Sequence, residues 1–130
     1  MNLKTAIYEQ LKNDPAITEI VGSRIYRTLA PSKSKMPFIT FQRITAINKN
    51  DIDLMTERFQ FDLVGKIESD DELEKIKEAV LKNLNRFKGD LGGNFQIKAV
   101  YLEIIADSFN PDTKARRIIL DFKFTYFSNL

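Results

Sequence analysis

The sequence predicts an α+β fold, a mostly antiparallel sheet of four to five strands with two helices packed on one face. Three observations carry that prediction. Residues 58–64 and 118–127 alternate apolar and polar side chains with the period of a half-buried strand. Residues 3–11 and 73–87 instead repeat apolar side chains at helical spacing. The chain order α, short β, β, β, α, β, β is that of helices gathered on one face of an antiparallel sheet.

Taken in order, Leu3, Ala6, Ile7 and Leu11 form one side of a short amphipathic helix, with Lys4, Glu9, Gln10 and Lys12 turned away. Asp14-Pro15 ends it and opens a second turn, because proline suits the first helical position. Gly22 is placed to close that turn. Residues 24–27 read as a short extended piece. A loop at 30–36 follows, bracketed by Pro31 and Pro37. Residues 38–47 are rich in β-branched and aromatic side chains, hence strand, and 48–53 are polar and turn-like. In 58–64, Phe59, Phe61 and Leu63 face one way and Arg58, Gln60 and Asp62 the other.

Ser69-Asp70-Asp71-Glu72 has the pattern of a capping box, with the serine oxygen and Glu72 satisfying orphan amides reciprocally. The helix it opens, with stripe Leu73, Ile76, Val80, Leu84 and Phe87, should stop near Lys88, because Gly89, Gly92 and Gly93 follow. Residues 95–105 and 118–127 are strands, and 107–117 between them read as a charged loop around Asn110-Pro111. At 130 residues the chain reads as one domain, 1–130, able to bury roughly two-thirds of its unfolded surface.

Hydrophobic content of 43% and charged content of 29% are those of an ordinary globular protein. Net charge is +2, too near balance to imply nucleic acid from bulk charge. The charge is segregated, however. Residues 20–50 contain no acid but carry Arg24, Arg27, Lys33, Lys35, Arg43 and Lys49, whereas Glu68, Asp70, Asp71, Glu72, Glu74 and Glu78 crowd the next helix start. The absence of cysteine removes disulfides and thiolate chemistry, and the absence of histidine removes the commonest general base and metal ligand. With no apolar leader and no run of membrane-spanning length, the expectation is a soluble, unprocessed, intracellularly made protein without membrane contact.

No site motif survives inspection. Asp51 and Asp53 begin a D-x-D, but Met55, Thr56 and Asp62 stand where a calcium loop needs an oxygen ligand, a glycine and a glutamate. The acids at 70–72 are a helix start. The glycine loop at 89–94 is not followed by Gly-Lys-Ser/Thr, and no G-x-S-x-G elbow exists. Ser32, Lys33, Ser34 and Lys35 leave a Ser-Lys pairing open on residue type alone, against the plainer reading of a solubilising loop. The expectation is no catalytic residues, no metal and no cofactor. Arg24, Tyr26, Arg27, Phe41 and Arg43 interleave bases with aromatics, which keeps a small basic nucleic-acid-binding accessory module as the alternative.

Several landmarks in order resemble the tail-completion proteins (head-to-tail joining, tail terminator) of long-tailed phages and prophages. They are Ala6-Ile7-Tyr8 with Leu11, Asp14-Pro15-Ala16-Ile17, Ile20-Val21-Gly22-Ser23-Arg24-Ile25-Tyr26, Ala30-Pro31, Pro37-Phe38-Ile39 and the strand Arg58-Phe59-Gln60-Phe61-Asp62-Leu63. The resemblance covers the first half to two-thirds of the chain, and beyond Lys88 it rests on strand order. It implies a non-enzymatic structural protein of the virion tail, at the head-proximal end, made in the host bacterial cytoplasm. Such a protein closes the finished tail tube as a ring, often hexameric, between the major tail tube protein and a head completion or stopper protein, with DNA passing through the ring. On that reading the expected interface residues are Arg24, Arg27, Lys33, Lys35, Asn48, Lys49, Asp51, Asp53, Lys114, Arg116 and Arg117. A basic strip and an acidic helix start suit the head-to-tail contact that closes rings.

Overall fold

The computed structural model describes residues 2–49 and 53–128. Helix α1 (Leu3–Lys12) starts at Asn2, whose side chain accepts the Thr5 N–H at 2.8 Å. The turn opened by Pro15 is a helix in its own right, α2 (Pro15–Val21), so the described residues form three helices rather than two. Asp14 caps it through the Ala16 N–H at 3.0 Å, and Gly22, at φ 59°, closes it by donating to the Thr18 carbonyl. The third helix, α3 (Asp70–Leu84), follows a single 3-10 turn over Ile67–Ser69.

The strands are β1 (Ile25–Arg27), β2 (Phe38–Lys49), β3 (Leu54–Lys66), β4 (Gly89–Leu91), β5 (Phe95–Ile97), β6 (Ala99–Asn110) and β7 (Ala115–Phe127). Five form one sheet in the order β1-β2-β3-β7-β6, and β4 and β5 pair separately. Among the described residues β1 pairs with β2 in parallel, and the other pairings are antiparallel. The register is continuous along β3 and β7, from Leu54 opposite Phe127 to Lys66 opposite Ala115. It shifts at a bulge after Arg43 in β2 and at another between Leu102 and Ile104 in β6.

Helices cover one face of this sheet. Phe41, Phe59, Phe61, Phe122 and Phe124 lie beneath them fully buried, with Phe61 edge-on to Phe122 at 5.5 Å between centroids. Each such ring contributes roughly 1.5–3 kcal/mol by leaving water. Leu3, Ala6, Ile7 and Leu11 of α1, Ile17 and Val21 of α2, and Leu73, Ile76, Val80 and Leu84 of α3 complete the core. For α1 and α3 these are residues of the stripes that the helical spacing predicts.

Four local expectations are corrected. Ser69 precedes α3 but makes no side-chain cap bond, because the 3-10 turn ahead of it gives it φ −108° and ψ 36°. α3 ends at Leu84 rather than near Lys88, where Arg86 turns to φ 65° and gives its N–H to the Val100 carbonyl. The strand expected over 95–105 is divided between the two sheets. The charged loop expected over 107–117 is mostly hairpin: β6 runs to Asn110, β7 begins at Ala115, and only 111–114 turn.

A candidate assembly surface

The expected interface residues fall at different places around the sheet. Asn48, Lys49 and Asp53 sit at the end where β2 turns into β3, and Asp51 lies outside the described residues. Lys114, Arg116 and Arg117 sit at the other end of β3, about 40 Å away along a strand of 13 residues. Arg24, Lys33 and Lys35 lie toward that second end, beside the start of β2.

Several of these side chains are engaged within the molecule. Arg24 donates from Nε to the Pro37 carbonyl at 2.9 Å and from Nη2 to the Ile20 carbonyl at 3.3 Å, tying the end of α2 to the start of β2. Arg27 lies over the Tyr8 ring, 4.7 Å from its centroid, and donates to Thr5 Oγ1. Arg116 joins three elements: it meets Asp70 and Glu74 of α3 and Asp107 of β6, the last at 2.8 Å. Arg117 is 3.7 Å from Asp62 across the strand pair. Lys33, Asp53 and Lys114 hold turns at positive φ, and the carbonyls of Asp53 and Lys114 accept from Ser128 and Ile67. Lys33, Lys35 and Lys49 are exposed without a charged partner among the described residues.

The face of the sheet away from the helices carries Arg58, Gln60, Asp62, Asp121, Lys123 and Arg117 in cross-strand register. Arg58 reaches Glu103 at 2.6 Å across β7. Burial holds the Asp121 carboxyl above its ordinary value, and neighbouring Arg58 opposes that rise while Glu103 and Asp62 add to it. Signs are mixed throughout, so the face is polar but not a cationic track.

Sequence reasoning missed two features. One is a groove of about 700 Å³ lined by Arg43, Glu57, Phe95 and Tyr126. Glu57 is the buried charged residue among those described; it accepts from Arg43 at 3.1 Å and from the Tyr126 hydroxyl. Its place at the end of the alternating β3 run, directly before Arg58, was the available signal. The other is a set of exposed apolar side chains at the two margins of the sheet: Ile44 and Ile47 on β2, and Tyr101, Ile104, Ile105 and Phe109 on β6. The sequence shows all of them but Phe109, which reads as loop, as ordinary strand residues, and only the strand order puts them at edges. Among the described residues no group of His, Cys, Asp and Glu is arranged to hold a metal ion, and no helix is long and apolar enough to cross a membrane.

No curated protein matches the sequence. Among solved structures, a chain of the virion of a native gene transfer agent particle superposes with a TM-score of 0.78 at 15% identity, over 97% of this chain and 95% of that one. At that identity the likeness is one of fold, over nearly the whole of both chains. The family model described as tail completion protein gp17 matches residues 5–126, from the first turn of α1 to the penultimate residue of β7, and the chain belongs to that family.

Proposed function

We propose that this protein is a non-enzymatic tail-completion protein that ends the tail tube and joins the tail to the head connector as a ring of identical subunits. Membership in a tail completion family makes it a structural protein of a phage-type virion tail, and the family match over residues 5–126 is the observation that carries the proposal. Residues 1–130 act as one domain, because all three helices pack on the same sheet. The surface supports assembly: the sheet has two different exposed apolar margins, and unlike margins generate head-to-tail contacts that close into rings. A hexamer between the major tail tube protein and a head completion or stopper protein, with DNA passing through, is the arrangement we assign.

Electron micrographs of the protein with purified tube protein test this. Rings, and tubes capped at one end, are expected. A protein that stays monomeric at high concentration and never joins a tube would end the proposal. Dilute monomer alone would not, since partner binding shifts such equilibria. The nucleic-acid alternative loses ground, because Arg24, Arg27 and Arg43 of its basic strip are turned onto the protein itself.

A further inference from the structure

Two stretches of strand backbone, at diagonally opposite corners of the sheet, have no hydrogen-bonding partner on their outer side among the described residues. On β2, the short strand β1 reaches only to Phe41, where the Thr28 N–H closes the contact at 2.7 Å, and residues 43–49 continue with one side open. On β6, the first half of the outer edge is covered by the turn that follows α3. There the Arg86 N–H donates to the Val100 carbonyl at 2.8 Å, and the Leu102 N–H donates to Asn85 Oδ1 at 3.0 Å. From Ile104 to Asn110 that cover is gone. The open part of β2 exposes Ile44 and Ile47 with Arg43 and Lys49; the open part of β6 exposes Ile104, Ile105 and Phe109 with Asp107. Long apolar edges of this kind are ordinarily paired or blocked.

We propose that the two corners are the halves of one interface, in which residues 104–110 of one copy add as an antiparallel strand to residues 43–49 of the next. The inference rests on the ring reading above and specifies its contact. Three independent properties of the sheet agree with it.

Polarity is the first. The steps β2–β3, β3–β7 and β7–β6 are all antiparallel, so β6 runs opposite to β2. Rotation about a ring axis therefore brings the two edges together antiparallel.

Offset is the second. Through the register, Ile47 is level with Thr56, Thr125 and Ala99, and Arg43 is level with Phe59, Phe122 and Leu102. For 43–49 to meet 104–110, the next copy must slide about six residues along the strands, roughly 20 Å at ~3.3 Å per residue. The repeat across β2, β3, β7 and β6 is about 19 Å at ~4.8 Å per strand. A slide equal to the repeat width corresponds to a strand tilt near ~45°, at the edge of the ~35–45° typical of closed barrels. The match holds for any number of copies.

Hand is the third. β3 and the parallel strand β6 are connected through α3 over one face, and such crossovers are right-handed. With that hand, and with helices outside, the open corners call for a tilt of the sense that right-twisted strands produce.

At this offset Lys49 faces Ile104, Ile47 faces Ala106 and Thr45 faces Ser108, all on the helix-free side, which lines the lumen. The β6–β7 turn then meets the end of β1, covering Leu29, which is 81% exposed in the single copy.

The chain has no cysteine, so engineered pairs report cleanly. In the full-length double variant Ile47→Cys/Ala106→Cys, the two positions are about 25 Å apart within one copy by strand geometry, so any bridge joins two copies. Oxidised under ring-forming conditions, it should give a covalent ladder on a non-reducing gel that ends at the ring's copy number. Ile47→Cys/Ala99→Cys, which would bridge only an unstaggered ring, should give at least about tenfold less dimer. Thr45→Cys/Ser108→Cys tests the same stagger at polar positions, should the first pair perturb folding. Rings in micrographs without a ladder from either staggered pair, or a stronger ladder from the 47/99 pair, would overturn the strand pairing and leave the ring reading standing. Absence of rings and capped tubes in the unmodified protein would remove both.

Discussion

Single residues show where the core makes demands that hydrophobicity alone does not. Glu57 occupies an inward-facing position of β3, between Phe59 and the end of the strand, and is 3% exposed. A charge there persists because Arg43 and Tyr126 both donate to it. Burial, and then the adjacent Glu57 carboxylate, hold the Tyr126 phenol well above its ordinary value of 10.0, against the opposing pull of Arg43. The native state thus favours the neutral phenol. Its contribution to stability is full below pH 10 and is lost as pH rises above the unfolded value toward the folded one. Tyr126→Phe should cost roughly 1–2 kcal/mol at neutral pH, from the lost bond to a charged acceptor. It should also flatten the fall of melting temperature with pH above 10, which paired thermal melts would show. A variant with an unchanged alkaline slope would mean that Tyr126 does not carry this dependence. Gly92 makes a different demand. At φ +62°, a Cβ would lie 2.5 Å from the Ala6 carbonyl of α1, whereas a Cβ on Gly93, at φ +86°, meets nothing within 4 Å. Gly92→Ala should therefore destabilise by about 2–4 kcal/mol and Gly93→Ala by about 1 kcal/mol in urea unfolding. Equal losses would show that the approach to α1 relaxes freely.

At the scale of elements, legibility followed burial. β3 and β7 are central, with one face under helices and the other polar, so their alternation is visible in the letters Phe59, Phe61, Leu63 and Leu120, Phe122, Phe124. β6 is an edge strand whose second half is largely exposed. Asp107, Ser108 and Asn110 could stand there without cost, and they read as loop. The end of α3 was misplaced because Phe87 continues the apolar spacing after the helix has stopped; Phe87 still packs against the core, from a turn. β4 is three residues long and contains a glycine, below what pattern can show. The misread hairpin is also where Arg116 gathers Asp70, Glu74 and Asp107, with its own side chain 19% exposed. Removing it leaves three carboxylates facing one another. Arg116→Ala should cost about 1–2 kcal/mol, discounted for the partly exposed acids, and Arg116→Lys should recover less than half, since a compact ammonium lacks the wide planar fork that spans the three carboxylates. Hydrogen exchange at residues 70–74 should quicken in the alanine variant before it does elsewhere in α3. Uniform quickening would point to a general loss of stability instead.

For the molecule as a whole, net charge says little and its placement says more. The candidate interface was legible only as charged loops, because side chains reveal charge but not strand order, and strand order decides which apolar residues stand at an edge. The same gap separates the basic strip in the sequence from the basic surface in the fold. Of the six bases between residues 20 and 50, Arg24 is bound to the Pro37 and Ile20 carbonyls, Arg27 to Thr5 and Tyr8, and Arg43 to Glu57. Lys33, Lys35 and Lys49 remain, and Lys49 lies at the opposite end of the sheet from the other two. The basic strip itself thus offers a duplex two free cations at one end of the sheet and one at the other. Because each neutralised phosphate contributes about −0.9 to the slope of log K against log salt, a slope of about −2 to −3 is expected, with Kd weaker than ~10 μM at physiological salt. Fluorescence anisotropy with a short duplex across a salt series would measure both. Lys33→Ala/Lys35→Ala should remove most of the slope, while Arg24→Ala and Arg43→Ala should scarcely alter it. A slope near −6, weakened evenly by each arginine variant, would mean that those guanidiniums leave their protein partners for phosphate, and the basic strip would then belong to nucleic acid rather than to the neighbouring subunit.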